Sequence, residues 1–352
     1  AMLGGRGNGF KIAMNALNVG RIKLGAGNLD GQRRSISIAT DYANNRIQFK
    51  QPISNFGAIK EKLASMATSC YAGESACYRA ASDVQSKIDE YESSGLTKQE
   101  AELKGIEEFA LECSILKVAI SEDVQNCADE GIQIFGGMGF SKDTPMEAAW
   151  RDARIARIYE GTNEINRMIS IDMMIKKAMK GHINLLEPAM KVKEELLGIP
   201  SFETPEFNKP MSQEKYLIKN LKKVFLMVAG FAIQKFGSEI EKHQQLLLNA
   251  SDILIEIYLA ESAILRTEKN ILRFGVETQK YQIEMSQLYL YNAIDIINRN
   301  AKTGIVSFAQ GDDQRMMLMG LKRFIKYTHY PNIAQLRNSI AEKLKKEDKY
   351  YF

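Results

Sequence analysis

The feature that most constrains this chain is the helical period of its apolar residues, which runs through three stretches of about 35 to 40 residues in the first half. The run opening at Phe10-Lys11-Ile12-Ala13-Met14 predicts a helix to about Asn45. A second is predicted over residues 55–93, with Ile59, Leu63, Met66 and Cys70 on one stripe. Ser93-Ser94-Gly95 breaks it. Thr97-Lys98-Gln99-Glu100 then has the form of a capping box, starting a third helix predicted to reach about Phe135. Thr144-Pro145-Met146-Glu147 opens a shorter helix with proline at its first position. After a loop at Tyr159-Glu160-Gly161, another helix is predicted over residues 162–179. Such helices cannot bury their stripes alone, and short turns between them predict an antiparallel four-helix bundle.

Four of the 7 prolines, Pro188, Pro200, Pro205 and Pro210, cluster with Gly198 and Ser201 in one stretch, which reads as a linker. The predicted division is a first bundle over residues 1–182, a linker over 183–211 and an additional helical domain over 212–352. In that second half helical patterns return near residues 212–244, 250–274, 278–301, 312–327 and 333–346. No stretch alternates with a period of two and no fixed repeat recurs, so the fold class is all-α, two helical bundles in succession.

Composition narrows the function. With 45% hydrophobic and 26% charged residues, 7 Pro and 25 Gly, disordered and low-complexity classes are excluded. The net charge of +4 arises after residue 180 and is too small to indicate nucleic acid as the partner. Cys70, Cys77, Cys113 and Cys127 lack C-x-x-C spacing, the pattern of free thiols in a reducing compartment. His182, His243 and His329 stand far apart, and no metal site is expected. The longest apolar run, residues 224–233, is about half of what crosses a bilayer. There is no N-terminal signal pattern, and Gly4-Gly5-Arg6-Gly7-Asn8-Gly9 reads as a cut end, so the chain is expected to be a fragment.

The chemistry concentrates between residues 133 and 167. Gly136-Gly137 is a helix stop where a flat ligand or another backbone can approach closely. Glu160 sits in a loop just before a helix. A carboxylate there, walled by Tyr159 and apolar helices, would have a raised pKa and could act as a general base, although from position alone a solvated surface Glu is the favoured reading.

Four separated motifs add to this: Gly9-Phe10-Lys11 through Leu17-Asn18-Val19-Gly20-Arg21, then Arg46-Ile47-Gln48-Phe49, then Gln133-Ile134-Phe135-Gly136-Gly137, then Tyr159-Glu160-Gly161-Thr162. In that order they resemble the C-terminal helical domain of acyl-CoA dehydrogenases, flavoenzymes that introduce a trans α,β double bond into acyl-CoA thioesters. The resemblance covers residues 3–180. Asn55-Phe56-Gly57 and the extension after residue 180 are most similar to the very-long-chain branch, whose members carry an extra C-terminal helical domain.

The resemblance implies roles. Glu160 would remove the α-proton while a β-hydride passes to FAD, and its backbone N–H would help polarise the thioester carbonyl. A minority of the family carries its base on the first long helix; here that position is Gly20, which has no side chain to serve. Arg46, Gln48, Phe49, Phe56, Gln133, Ile134, Gly136 and Gly137 would reach the flavin of a neighbouring subunit, with Arg46 at the pyrophosphate. Thr162 and Glu164 would lie near the flavin of their own subunit. Asn18, Arg21, Tyr159 and Gly161 match positions on the substrate side. Lys50 departs from the family, which has Gly after the Phe, and Gly57 stands where many relatives have Gln.

Implied partners are acyl-CoA, an electron-transfer flavoprotein and a second copy of the chain, in a bacterial cytoplasm or a mitochondrial matrix. The family's N-terminal helical and middle β-domains have no counterpart here, so the fragment alone is expected to be inactive. Residues 224–233 and the basic Lys343-Leu344-Lys345-Lys346 could instead favour peripheral membrane or partner contact through the C-terminal domain. The alternative from a different class is therefore a non-catalytic helical interaction module that keeps the dehydrogenase fold.

Overall fold

In α1, Gly9–Asn45, the buried positions recur every three or four residues, and they change character along the helix. The first three, Asn15, Asn18 and Arg21, are polar, whereas further on apolar Leu29, Ile36, Ala39 and Ala43 alternate with polar Gln32, Ser35 and Thr40. The apolar part packs as core; the polar part marks where the bundle interior carries something else. The structure, a computed structural model, describes residues 5–198 and 206–352.

A hairpin follows α1, pairing β1, Ile47–Gln48, antiparallel to β2, Gln51–Pro52. Two-residue strands are too short to show alternation, which is why no sequence pattern announces them. Its turn residues Phe49 and Lys50 have φ of 50° and 66°, the left-handed pair that a tight two-residue hairpin requires. The chain then returns through α2, Gly57–Ser93, where Leu63, Met66 and Cys70 of the expected stripe are buried and Ile59 is half-buried.

The capping box is present at α3, Lys98–Glu108: the Thr97 side chain accepts from the Glu100 N–H and the Glu100 carboxylate accepts from the Thr97 N–H. The helix that was expected to continue to Phe135 instead breaks at Phe109, and α4 spans Ala110–Phe135. The break lets α3 lie against α2, where Gly105 meets Ile88 closely. Then come the single turn α5, Gly137–Phe140, and α6, Pro145–Ile155, with its proline in the first turn, followed by α7, Asn163–Met179. The antiparallel bundle is built on α1, α2 and α4, with α6 laid against α4 and α1.

By its internal contacts the chain divides into two units. The first holds the described residues up to Asn166 together with Arg337–Phe352. The second is Arg167–Leu336, with α8, Leu186–Leu197, α9, Ser212–Phe236, α10, Gln244–Phe274, α11, Lys280–Phe308 and α12, Gly311–Phe324. Here α9, α10 and α11 pack on one another over Leu221, Val228, Ile253, Ile264 and Ile297, and α8 and α12 pack on α9.

Three expectations about the division change. Residues 186–197 are helical rather than linker: Pro188 falls in the first turn of α8, where its missing N–H would have had no helical partner. Pro200, Ser201 and Pro205 lie outside the described residues. The boundary falls inside α7 at Arg167, not near residue 182, and the last residues rejoin the first unit. There, α13, Ile333–Glu347, carries Glu342 to Lys60 at 2.6 Å and Arg337 to Glu61 at 2.8 Å. Beyond it the Tyr350 N–H donates to the Ser37 hydroxyl at 3.1 Å. Since the partners of these residues lie about 300 positions away, no local pattern could reveal them.

Candidate active site

The loop between α6 and α7 is folded against the local preference of its residues. Glu160 has φ of 58°, left-handed for a residue with a Cβ, and Gly161 follows at 83°. The strain persists because the carbonyls are pinned from inside the bundle. The Glu160 carbonyl accepts from Arg21 Nε at 3.2 Å and from Asn166 Nδ2 at 3.3 Å. The Gly161 carbonyl accepts from Lys117 Nζ at 2.6 Å and from Asn166 Nδ2 at 2.8 Å. Thr162 ends the loop, and its hydroxyl accepts from the Ile165 N–H at 3.4 Å at the start of α7.

Inward carbonyls leave the Glu160 side chain on the other side, seated on α1 at Gly20. A Cβ at residue 20 would stand 2.6 to 2.8 Å from the carboxylate atoms of Glu160. The glycine therefore makes the slot that the carboxylate occupies. Glu160 is half-buried, Tyr159 beside it is exposed, and the Glu160 N–H has no hydrogen-bond partner among the described residues.

The floor of the site is cationic. Arg21, 2% exposed, spans the gap from α1, its Nη1 donating to Asn18 Oδ1 at 3.1 Å and to the Ser114 hydroxyl at 3.5 Å. Burial lowers its pKa, opposed by the nearby Cys113 and Glu160. Lys117, fully buried on α4, donates also to Asn163 Oδ1 at 2.6 Å. Burial pulls its ammonium down to about 8, helped by Arg21 and opposed by Glu122, Glu164 and Glu160. Burial raises the pKa of Tyr159, with Glu160 adding to it.

A second group of expected residues gathers at the far end of α1. Tyr42, in its last turn, stacks on Phe135 with ring centroids 3.9 Å apart, which brings the hairpin beside the end of α4. There α4 stops at Gly136, whose φ of 61° suits a glycine, and nothing stands within 4 Å of a Cβ built on Gly136 or Gly137. Arg46, Gln48 and Gln133 are exposed, and Phe49, 86% exposed, meets Phe56 edge-on at 6.0 Å. About 25 residues of α1 separate Arg46 from Arg21, roughly 37 Å at the helical rise.

Comparison with known proteins decides the family. A family model described as "Acyl-CoA dehydrogenase, C-terminal domain" matches residues 7–175, and a second of the same description matches residues 220–323. A probable acyl-CoA dehydrogenase of Bacillus subtilis is 39% identical over 349 residues, which is 99% of this chain and 58% of that protein. The chain belongs to the acyl-CoA dehydrogenase family. A mitochondrial very long-chain specific acyl-CoA dehydrogenase of Rattus norvegicus is 30% identical over 85% of this chain and 45% of its own length. The crystal structure of an acyl-CoA dehydrogenase complexed with FAD from Bacillus anthracis superposes with a TM-score of 0.92 at 41% identity, over 99% of this chain and 59% of that one. The chain thus spans less than three fifths of the length of these relatives.

Within the first unit the expected residues fall into two places. Asn18, Arg21, Tyr159, Glu160, Gly161, Thr162 and Glu164 converge on the loop; Arg46, Gln48, Phe49, Phe56, Gln133, Gly136 and Gly137 gather at the hairpin end. Asn18 and Arg21 are buried beneath the loop rather than on its outer face. Ile134 is 3% exposed, so its side chain belongs to the core. Sequence reasoning missed Lys117, Asn163 and Asn166. The signal for Lys117 was a lone lysine inside the apolar run Ile115-Leu116-Lys117-Val118-Ala119-Ile120.

Outside this unit, the cavity of about 460 Å³ between α7, α8 and α9 is lined by Ile171, Phe225 and Phe231. Lys193 is its one titratable lining residue among those described, so it offers no acid–base pair. All four cysteines are buried free thiols, with burial pushing Cys70 and Cys113 up to about 12. No helix among the described residues is long and apolar enough to cross a membrane.

Proposed function

We propose that the full-length protein is an FAD-dependent acyl-CoA dehydrogenase acting on long-chain acyl-CoA, with Glu160 as the base. One observation carries this reading: the Glu160 carboxylate rests in the slot left by Gly20, on a loop whose carbonyls face inward and whose Glu160 N–H is unused. Glu160 then takes the α-proton, and its N–H donates to the thioester oxygen as charge develops there. Bound there, flavin would supply the acceptor for the β-hydride. The chain's residues suit such a group. Exposed Phe49 and the side-chain-free Gly136-Gly137 turn offer a surface for a flat ring system, and the exposed Arg46 guanidinium suits a phosphate.

The separation of the two clusters along α1 supports a flavin site shared between subunits, hence a homo-oligomer. An electron-transfer flavoprotein is the acceptor that the family resemblance implies. Of the grounds for peripheral membrane contact, the run 224–233 is buried in α9 at Val224, Phe225, Met227, Val228 and Ala232, and Lys343 and Lys345 pair with Glu347 and Glu342, which leaves only the net positive charge after residue 180.

The test is anaerobic bleaching of flavin absorbance in the full-length protein on adding palmitoyl-CoA. Wild type is expected to bleach, and Glu160→Gln to bleach at least about a thousandfold more slowly. Equal bleaching in both moves the base elsewhere. A full-length protein that neither holds flavin nor bleaches returns the molecule to the interaction-module reading.

A further inference from the structure

The least expected charge in the first unit is that of Lys117. An ammonium taken out of water is costly unless charge and hydrogen bonds compensate it. Yet both of its hydrogen bonds go to neutral oxygens, the Gly161 carbonyl and Asn163 Oδ1, each at 2.6 Å. Four charged groups act on it: Arg21 on α1, which disfavours its charge, and Glu122 on α4, Glu160 in the loop and Glu164 on α7, which favour it. Asn163 is itself fixed on the far side. Its Nδ2 donates to the Ser121 hydroxyl at 3.1 Å and to Glu122 Oε1 at 2.9 Å, so its Oδ1 faces Lys117. Side chain and loop therefore form one closed network, with the amine at its centre.

What this network holds is the pair of left-handed residues. At Glu160 the conformation is sterically disfavoured, since a residue with a Cβ crowds its own carbonyl there. Relaxing it would swing the Gly161 carbonyl away from the bundle and carry the Glu160 carboxylate off Gly20. Arg21 and Asn166 grip the Glu160 carbonyl; Lys117 is the cation that grips the next one.

We propose that Lys117 is a positioning residue: its buried ammonium anchors the Gly161 carbonyl and Asn163 and thereby holds the Glu160 carboxylate in its slot above Gly20. This rests on the reading of Glu160 as the base. It does not touch substrate, so its removal should lower the rate of the chemical step and leave acyl-CoA affinity close to that of wild type.

The experiment uses the flavin-loaded full-length protein and four forms: wild type, Lys117→Met, Lys117→Ala and Glu160→Gln. Amide hydrogen exchange is followed across residues 158–163 and, as internal reference, across α2. Bleaching rate and acyl-CoA binding are measured in parallel. Lys117→Met is expected to lose about tenfold or more of the loop's protection with α2 unchanged, and to bleach about ten- to a hundredfold more slowly at nearly unchanged affinity. Lys117→Ala leaves a space shaped like n-propylamine. That amine is expected to restore loop protection and bleaching, while n-propanol, of the same size and uncharged, restores neither.

Unchanged loop exchange in Lys117→Met overturns the proposal, as does rescue by n-propanol equal to that by n-propylamine. If the Met variant does not fold, failure of n-propylamine to restore the loop in the Ala variant overturns it equally. Should Glu160→Gln bleach like wild type, the base assignment falls, while the exchange data still report whether Lys117 holds the loop.

Discussion

Two places in the described part of the first unit put consecutive residues in the left-handed region, and they are held there by different means. At the hairpin, Phe49 and Lys50 are both exposed, and the conformation is maintained by the two short strands that the turn connects. At the loop, Glu160 and Gly161 are gripped by side chains from α1, α4 and α7 that are themselves buried. Strain at the hairpin is local and set by turn type. Strain at the loop is tertiary, with two cations and an amide committed to it. The difference shows that left-handed geometry alone does not mark a site. What marks it is how much of the interior is committed to holding the geometry in place.

The sharpest way to break this comparison is to fill the slot opposite the loop. In Gly20→Ala the new Cβ meets the end of a flexible side chain, so the protein is expected to fold as well as wild type, or slightly better, since alanine favours helix by up to about 1 kcal/mol. The carboxylate must move. A displacement of about 1 Å at the reacting group is expected to slow flavin bleaching up to about a hundredfold. Rising or equal Tm with falling rate is the signature to look for. Loss of both together would mean that Gly20 serves helix packing rather than the carboxylate.

A smaller effect tests the cost of the cationic floor. Lys117 has a native pKa of about 8 against an ordinary 10.5, so between these values the unfolded state binds more protons than the folded one. Stability contributed through this group therefore rises as pH increases from about 8 to 10.5; at lower pH it is charged in both states and adds no slope. Lys117→Met lacks the group. The wild-type Tm minus the variant Tm is expected to grow from pH 8 to pH 10 and to stay flat from pH 6 to pH 7.5, with other titrating groups cancelling in the difference. A flat difference throughout would mean that the amine titrates normally.

Much of this contrast could be read in the sequence, and the reason lies in range. The long helices, the Thr97–Glu100 capping box and the proline at the start of α6 are signals within a turn or two of the chain, and they appear where expected. The loop itself was found through Tyr159-Glu160-Gly161-Thr162, a motif rather than a periodicity. The residues beneath it were not, because Lys117 and Asn163 are 46 positions apart and only packing makes them neighbours. The same holds for the return of Arg337–Phe352 to the first unit. The break at Phe109 escaped for a different reason: the apolar period continues through it, so the helix changes direction without a change of pattern.

The weakest perturbation probes the hairpin, where the resemblance also pointed to a departure: Lys50 stands where the family has Gly. The structure gives that departure a physical meaning, since Lys50 at φ of 66° occupies a conformation that glycine adopts without steric cost. Lys50→Gly is expected to relieve about 1 kcal/mol of backbone strain, offset in part by the greater freedom of glycine in the unfolded chain, for a net rise in Tm of at most a few degrees. Loop exchange should not change, because the hairpin lies at the other end of α1 from Glu160. A clear fall in Tm would show that the Lys50 side chain contributes more than its backbone costs. A change in exchange across residues 158–163 would show that the two strained places are coupled through α1, and the distinction between local and tertiary strain would then fail.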